Sequence, residues 1–423
     1  MFDQNLERVT WPSSLQVLTF GQNFKQSLKK VAFPHKLKVL TFGRDFYRSF
    51  QGVHLPNSLE TLTFGVGFNQ SLEGVHLPES LQHLTFGDGY NRKLDRVLWP
   101  RLRTLSLGHR YKQLLVKVAL PSTLESLFLG NMFNQSLSQV ALPSSLQSLT
   151  YGASFDTCLD GVVWPSNLQI LTFGDNFNQR LENVSLPSSL RSLTFGYSFD
   201  RTLARTHFPE SLQSLTFGGN FDQSLEDIHL PQSLQSLTFG YRYNQGLDVV
   251  AWPSSLLSLT FGANFNQRLN GVAWPCTLQV LTFGHNFNQS LENVSLPSSL
   301  QSLTFGVCFD QIFERVRLPD NLKSLTFGAL FNQSLDRLEL PDKLESLSFG
   351  QCFNQSLEHL ILPSSLQTLR FGSEFNQSLD QIALPGSLRS IMLGKDFDHS
   401  LEHVQLPDSL TSLACNGFLL SVL

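Results

Sequence analysis

Carboxylates recur at one position of a repeating pattern, and they are the most numerous groups in this chain that could bind a cation or a basic partner. We call this set the acidic column, and its members are Glu7, Glu73, Asp95, Asp160, Glu182, Glu226, Asp248, Glu292, Glu314, Asp336, Glu358, Asp380 and Glu402. Hard divalent cations prefer carboxylate oxygens. Like charges in successive repeats repel, and arginines such as Arg96, Arg315 and Arg337 directly follow some of the acids and can relieve that repulsion. We therefore interpret this acidic column as a solvated face, with weak binding of cations or of a basic partner as the alternative.

Histidine and cysteine provide little evidence for a metal or redox site. His54 lies one repeat before His76, but two imidazoles without a third ligand are a weak zinc signal. His207 and His229 form a second pair of this kind. The five cysteines scatter over different repeat positions, and no disulfide is expected between them. We predict no metal site, no cofactor and a reduced intracellular setting, the cytoplasm.

Catalytic motifs are missing from the sequence. Fragments such as Gly65-Val66-Gly67 lack the continuation and the following helix of a phosphate-binding loop. No nucleophile elbow, zinc-protease motif or paired-cysteine spacing occurs, so we predict that the protein is not an enzyme. Charged residues make up 15% of the chain, the net charge is −4 and no basic stripe is present, which argues against nucleic acid. No stretch approaches the ~20 apolar residues of a membrane span, so no membrane interaction is expected.

Prolines mark the elements that would position these groups. All 19 prolines occupy one place in a 22-residue unit, and only the step from Pro100 to Pro121 is shortened, to 21 residues. A period that runs from end to end indicates a single repeat architecture. We predict one repeat domain over residues 1–423 with about 19 coils, and an irregular C-terminal tail or cap at residues 415–423.

Each repeat contains two short apolar patterns. In residues 168–190 these read L-x-x-L-x-F and L-x-x-V-x-L, the alternation of half-buried strands. Gly174 marks a corner that needs either positive φ or a close backbone approach, and Pro187 ends the second pattern. Two phenylalanine columns follow, one through Phe173 and one through Phe177. We predict a mainly β fold, a parallel β-solenoid with two short strands per coil.

Uniform polar columns are expected on the surface of such a solenoid. Threonine recurs on the outward face of the first pattern, for example at Thr216, Thr238 and Thr260, with serine two residues earlier. Threonine favours strands, so a structural role is the first interpretation. A flat Ser-x-Thr face that matches a repetitive surface such as ice is the alternative. Asparagine or aspartate after the second phenylalanine, as at Asn178, is expected to satisfy backbone groups of its turn.

Variation is concentrated in the two residues after each repeat glycine. Aromatic and arginine side chains are common anchors of protein interfaces. We therefore predict partner binding at this variable corner, with the candidate residues Arg110, Met132, Tyr197, Tyr241, Arg242 and His285.

The repeat itself resembles a known family. The string LPSSLQSLTFGxxFNQSLExV, best seen at residues 296–309 and 353–375, is similar to the FNIP repeat, a relative of leucine-rich repeats. The departure is Phe331-Asn332-Gln333-Ser334, where the family commonly has proline. The resemblance implies a curved leucine-rich-repeat-like solenoid. Family members are often joined to an F-box, but the repeat pattern already runs at Phe2, so we expect interaction repeats alone.

Function is predicted from these features together. The first hypothesis is a non-catalytic scaffold for protein–protein interaction, whose protein partner the sequence does not identify. The alternative is a structural or surface-binding array that uses the Ser-x-Thr face or the acidic column. The first coil lacks a polar cap and residues 415–423 end apolar. Either the tail folds over the last coil, or the chain is a partial product, or copies associate end to end.

Overall fold

The computed structural model describes residues 2–313 and 315–415, together with the backbone of residues 418–420. The chain divides into two compact units, residues 1–212 and residues 213–423. In both units, short strands recur once per coil.

The first unit contains nine strands. They are β1 (Val17–Thr19), β2 (Val39–Thr41), β3 (Thr61–Thr63), β4 (His83–Thr85), β5 (Thr104–Leu107), β6 (Ser126–Leu129), β7 (Ser148–Tyr151), β8 (Ile170–Thr172) and β9 (Ser192–Thr194).

The second unit contains eleven strands among the residues described. They are β10 (Ser214–Thr216), β11 (Ser236–Thr238), β12 (Ser258–Thr260), β13 (Val280–Thr282), β14 (Ser302–Thr304), β15 (Ser324–Thr326), β16 (Ser346–Ser348), β17 (Thr368–Arg370), β18 (Ser390–Met392), β19 (Ser412–Cys415) and β20 (Phe418–Leu420).

Successive strands from β1 to β9 and from β10 to β19 pair in parallel and in register within their units. Ser236 lies opposite Ser258, which is one 22-residue period later. Across the shortened repeat, His83 lies opposite Thr104. The strands therefore stay in register, and the same side chains face the core although one residue is missing before β5. The predicted leucine-rich-repeat-like parallel β-solenoid of about 19 coils is confirmed.

The prediction of two strands per coil is wrong for the residues described. Only the L-x-x-L-x-F pattern forms a strand, and the L-x-x-V-x-L pattern does not. In residues 181–186 the Val184 N–H donates to the Leu181 carbonyl at 3.0 Å, which closes a local turn. Val184 is buried and Ser185 is exposed, so the alternation of burial is present. Side-chain burial alternates along any extended backbone, even one without hydrogen bonds to the next coil. The alternating pattern alone therefore led to the wrong prediction of a second strand.

Leucine and phenylalanine fill the interior of each coil. Phe283 and Phe287 of one coil stack with ring centroids 3.9 Å apart, and Phe283 lies 5.7 Å from Phe305 of the next coil. Phe283 and Phe287 are each at most 2% exposed. The two predicted phenylalanine columns are confirmed, and stacking adds about 0.5–1.5 kcal/mol per pair beyond burial.

Glycine is required at the first corner because successive coils approach closely there. A Cβ at Gly262 would overlap the carbonyl group of Gly240 in the preceding coil. Of the corner glycines described, only Gly130 has a positive φ, at 24°. Close backbone approach, and not left-handed conformation, is therefore the reason for this glycine column.

Side-chain amides and hydroxyls complete the polar connections between coils. The Asn288 N–H donates to Asn266 Oδ1 at 2.9 Å, and the Gln289 side-chain amide donates to the same oxygen at 3.1 Å. Ser299 donates its hydroxyl to the Leu278 carbonyl at 2.7 Å. The predicted structural role of the asparagine column is confirmed, since each amide satisfies a turn of the next coil.

Four tyrosines place hydroxyls inside the apolar columns. The hydroxyl groups of Tyr90, Tyr111, Tyr151 and Tyr243 are buried and have no hydrogen-bond partner among the described protein atoms. Tyr151 is 2% exposed, and its burial raises the pKa of its hydroxyl far above the ordinary value. A buried polar group without a partner destabilises the folded state.

We therefore expect Tyr151→Phe to stabilise the protein. Removing the unpaired hydroxyl while keeping the ring stacked on Phe155 should raise the free energy of unfolding by about 1–2 kcal/mol. Urea denaturation followed by circular dichroism measures this change. Tyr197→Phe is the matched control, because Tyr197 is 53% exposed and its change should stay within about 0.5 kcal/mol. Equal effects of the two substitutions would contradict the prediction.

The C-terminal tail is described in part. β20 (Phe418–Leu420) pairs antiparallel with β19, and Leu413 lies opposite Leu420. The remaining tail residues, 416–417 and 421–423, lie outside the described residues. The single domain over 1–423 and the cap at 415–423 stay predictions. No helix in the part of the chain that the structure describes has the length and apolar character needed to cross a membrane.

Candidate functional site: the variable corner

The variable corner consists of the two residues that follow each repeat glycine. The N–H of its second residue donates to the carbonyl of the first residue one coil earlier. Examples are Arg242 to Gly219, Asn264 to Tyr241 and Cys308 to His285, each at 2.8 Å. Within each unit the corner backbone therefore forms a hydrogen-bond ladder, which fixes where its side chains leave the surface.

All six predicted site residues are exposed. Tyr241 is 56% exposed, Tyr197 is 53% exposed and Met132 is 42% exposed. Arg110, Arg242 and His285 are exposed as well. An exposed tyrosine still keeps an apolar ring and one polar group, the combination that favours interface contacts.

In the first unit, the structure brings two of these residues into adjacent coils. The Met132 N–H donates to the His109 carbonyl at 2.8 Å, and Arg110 directly follows His109. Asn131 and His109 also join through their side chains, with Asn131 Nδ2 3.0 Å from His109 Nδ1. Tyr197 lies three coils further along and is not part of this cluster.

In the second unit, Tyr241 and Arg242 share a corner and His285 lies two coils later. The coil between them contributes Asn264, whose Oδ1 accepts a hydrogen bond from Asn286 Nδ2 at 3.1 Å. This part of the corner is an aromatic and cationic end followed by an amide-rich surface.

The same corner has an apolar continuation beyond the six predicted site residues. Val307 is 37% exposed and Leu330 is 47% exposed, and the Leu330 N–H donates to the Val307 carbonyl at 2.9 Å. Their position after the glycine was the available signal, since the period places them beside His285. The part of the second-unit corner that we consider as a candidate site thus runs from Tyr241 to Leu330.

The uniform Ser-x-Thr face is half-buried and in register. In the second unit, Thr216, Thr238 and Thr260 lie opposite one another on β10, β11 and β12, and Ser214, Ser236 and Ser258 do the same. The face presents hydroxyls at every coil without a charged side chain on these three strands.

The described members of the acidic column are exposed, except for the half-buried Glu182, and arginines of the next coil partly neutralise the column. Arg96 Nη1 lies 2.9 Å from Glu73 Oε1, and Arg315 Nη1 lies 3.2 Å from Glu292 Oε1. The predicted relief by Arg96 and Arg315 is confirmed. Exposed pairs of this kind contribute at most about 1 kcal/mol. Glu314 lies outside the described residues.

Metal-ligand geometry is not found in the described part of the chain. No group of three or more histidine, cysteine, aspartate or glutamate residues could hold a metal ion there. His54, His76, His207 and His229 are all exposed. The five cysteines are free thiols.

Comparison with known proteins identifies the repeat. The family model described as FNIP Repeat matches segments that together cover residues 2–132 and 159–414. The chain belongs to the FNIP repeat family. A comparison with curated proteins finds no match.

Solved structures show the same fold. CroV588, described as a novel circular LRR protein, is 37% identical with a TM-score of 0.83, and the match covers 99% of this chain and 68% of that one. TLR13, solved as the TLR13–ssRNA13 complex, is 17% identical with a TM-score of 0.54, and the match covers 95% of this chain and 67% of that one. The second likeness shows the fold alone. Both place this FNIP repeat chain among leucine-rich-repeat-like solenoids.

Proposed function

We propose that this FNIP repeat protein is a non-catalytic scaffold that binds a protein partner through the variable corner. The observation that carries the proposal is the corner from Tyr241 to Leu330, where exposed aromatic, cationic and apolar side chains stand on a hydrogen-bonded backbone ladder. A surface that is fixed before binding loses little conformational entropy when a partner docks.

The composition of this corner supports binding over a purely structural role. Core columns repeat the same residue in nearly every coil, because each must fit the same space. The corner changes from Tyr241-Arg242 to Ala263-Asn264 to His285-Asn286 while its backbone ladder stays the same. The coil therefore leaves these side chains free to vary, as recognition surfaces need.

The test is an affinity capture from extract of the source cells, with the full chain as bait. We expect Tyr241→Ala/Arg242→Ala to reduce partner capture by about tenfold or more, as for loss of interface anchors. Lys395→Ala/Asp396→Ala is the matched control, because those exposed residues occupy the same corner positions in a later coil. A partner captured equally by both variants would show that the corner from Tyr241 to Leu330 is not the binding surface.

The in-register hydroxyls favour a second candidate, a surface-binding array on the Ser-x-Thr face. Within each column, successive hydroxyls are one strand spacing of about 4.8 Å apart. The columns therefore offer a regular lattice of donors and acceptors. Thermal hysteresis, the non-equilibrium depression of the freezing point, measures ice binding. The second candidate requires activity in the wild-type protein that Thr238→Lys removes and that Tyr241→Ala/Arg242→Ala leaves intact.

A further inference from the structure

Two neighbouring coils of the first unit carry an unusual concentration of positive charge on one side. This basic side consists of residues 91–98 and 112–119, which occupy the same segment of the repeat. It contains one acid, Asp95, and five exposed cations, which are Arg92, Lys93, Arg96, Lys112 and Lys117.

Hydrogen bonds fix the two coils of the basic side against each other. The Lys112 N–H donates to Asn91 Oδ1 at 3.1 Å, and the Gln113 side-chain amide donates to the same oxygen at 3.0 Å. This register places Leu114 beside Lys93 and Lys117 beside Arg96, one coil spacing of about 4.8 Å apart. Arg92, Lys93 and Arg96 also line a shallow depression of about 450 Å³.

Apolar side chains stand in the same patch without cover. Leu98 is 79% exposed, Leu114 is 63% exposed and Val116 is 40% exposed. Exposed apolar groups surrounded by charges are typical of surfaces that bind other proteins.

Leu114 also gives up a hydrogen bond that neighbouring coils make. At its repeat position Ser71 accepts from the Glu73 N–H at 3.0 Å, and Ser136 accepts from the Ser138 N–H at 3.2 Å. A leucine has no oxygen to offer. Its side chain therefore contributes neither the turn hydrogen bond nor burial in the folded chain, and it is accessible for contact with a partner.

The second unit carries the opposite charge on the same segment of the repeat. This acidic side consists of residues 354–361, 376–383 and 398–405, which contain no lysine or arginine. Its acids are Glu358, Asp380, Asp398 and Glu402, all exposed. Ile361 lies among them and is 85% exposed. Three histidines, His359, His399 and His403, share this side.

We propose that the protein associates with a second copy of itself, the basic side of one copy docking on the acidic side of the other. Five cations, of which Arg96 also pairs with Glu73 of its own chain, meet four carboxylates, and Leu98, Leu114 and Ile361 supply apolar contacts between the copies. Opposite charges steer the encounter and fix the register, while the apolar contacts contribute affinity. This interface uses a segment of the repeat that is separate from the variable corner.

Sedimentation equilibrium of the full chain at pH 8, where imidazole is neutral, tests the proposal. We expect concentration-dependent association at about 50 mM salt that is lost at about 500 mM salt, because screening shortens the range of charge attraction. A wild-type chain that is monomeric at low salt over the whole concentration range would overturn the proposal.

Charge reversal identifies the surfaces. Lys93→Glu/Lys117→Glu and Asp380→Lys/Glu402→Lys should each abolish self-association, and an equimolar mixture of the two variants should restore it. All four positions are exposed, and circular dichroism checks that each variant is folded. Association that survives either reversal, or a mixture that stays monomeric, contradicts the pairing of these two sides. Leu114→Ser should weaken association several-fold at unchanged salt dependence, and no change would contradict its role as an anchor.

Discussion

Gly262→Ala is expected to destabilise the protein by about 3 kcal/mol or more, because overpacking against backbone cannot be relieved by a change of rotamer. The Cβ of the new alanine would overlap the Gly240 carbonyl group of the preceding coil. Relief requires the two coils to separate at the corner. Separation would lengthen the neighbouring ladder bond from the Asn264 N–H to the Tyr241 carbonyl, now 2.8 Å.

The same substitution at Gly21 provides the control. Gly21 occupies the same repeat position, but a Cβ there meets nothing within 4 Å. Gly21→Ala should therefore be neutral or stabilising by up to about 1 kcal/mol, since alanine lowers the entropy of the unfolded chain. Urea denaturation of both variants, followed by tryptophan fluorescence, makes the comparison, with Trp252 and Trp274 flanking Gly262 in sequence. Equal stability of the two variants would refute the close-approach explanation.

Phe287→Ala should cost about 4 kcal/mol, the usual range for truncating a buried phenylalanine to alanine. Phe287 is fully buried and stacks on Phe283 of its own coil with centroids 3.9 Å apart. It also contacts Phe265 at 6.0 Å and Phe309 at 5.9 Å, in the coils on either side. With Phe305 at 6.4 Å as the fourth partner, one truncation weakens four stacked pairs and leaves a cavity in the apolar core.

Because the stability of a repeat array is a sum of coil and nearest-neighbour terms, the damage should be local. Amide hydrogen exchange measured coil by coil should show faster exchange in the coils that contain Phe265, Phe287 and Phe309, with distant coils little changed. Phe2→Ala is the control, since Phe2 is 53% exposed and stacks on Phe24 alone. Uniform loss of protection along the whole chain would instead indicate a single cooperative unit.

The prolines and the L-x-x-L-x-F pattern predicted the coils, the strands and the phenylalanine columns from the sequence. Period and alternation are consequences of geometry that each coil repeats, so 19 copies reinforce one another. The prediction of a second strand per coil was wrong because alternation of apolar and polar residues indicates burial and not hydrogen bonding. The turn closed by Val184 and Leu181 uses its donor locally, and no residue type in L-x-x-V-x-L distinguishes that from a ladder bond.

The candidate site could be predicted by position but not in extent. Counting two residues from each glycine located Tyr241 and Arg242, and both are exposed. Leu330 was missed because a single leucine in a leucine-rich chain does not stand out until its exposure of 47% is measured. The basic side of the first unit was missed for a related reason, whereas Glu358, Asp380 and Glu402 of the acidic side were already part of the predicted acidic column. The residues of the basic side are spread over segments about 22 apart, and only stacking brings them side by side.

The in-register stacking of coils has a consequence for how such a gene can change. Hydrogen bonds such as those from Asn288 to Asn266 and from Ser299 to Leu278 join residues 21 or 22 apart. Excising or duplicating one whole 22-residue unit between two well-matched coils rejoins equivalent donors and acceptors. Recombination between near-identical repeats can therefore lengthen or shorten the protein in whole coils, moving binding side chains relative to one another without inventing a new fold.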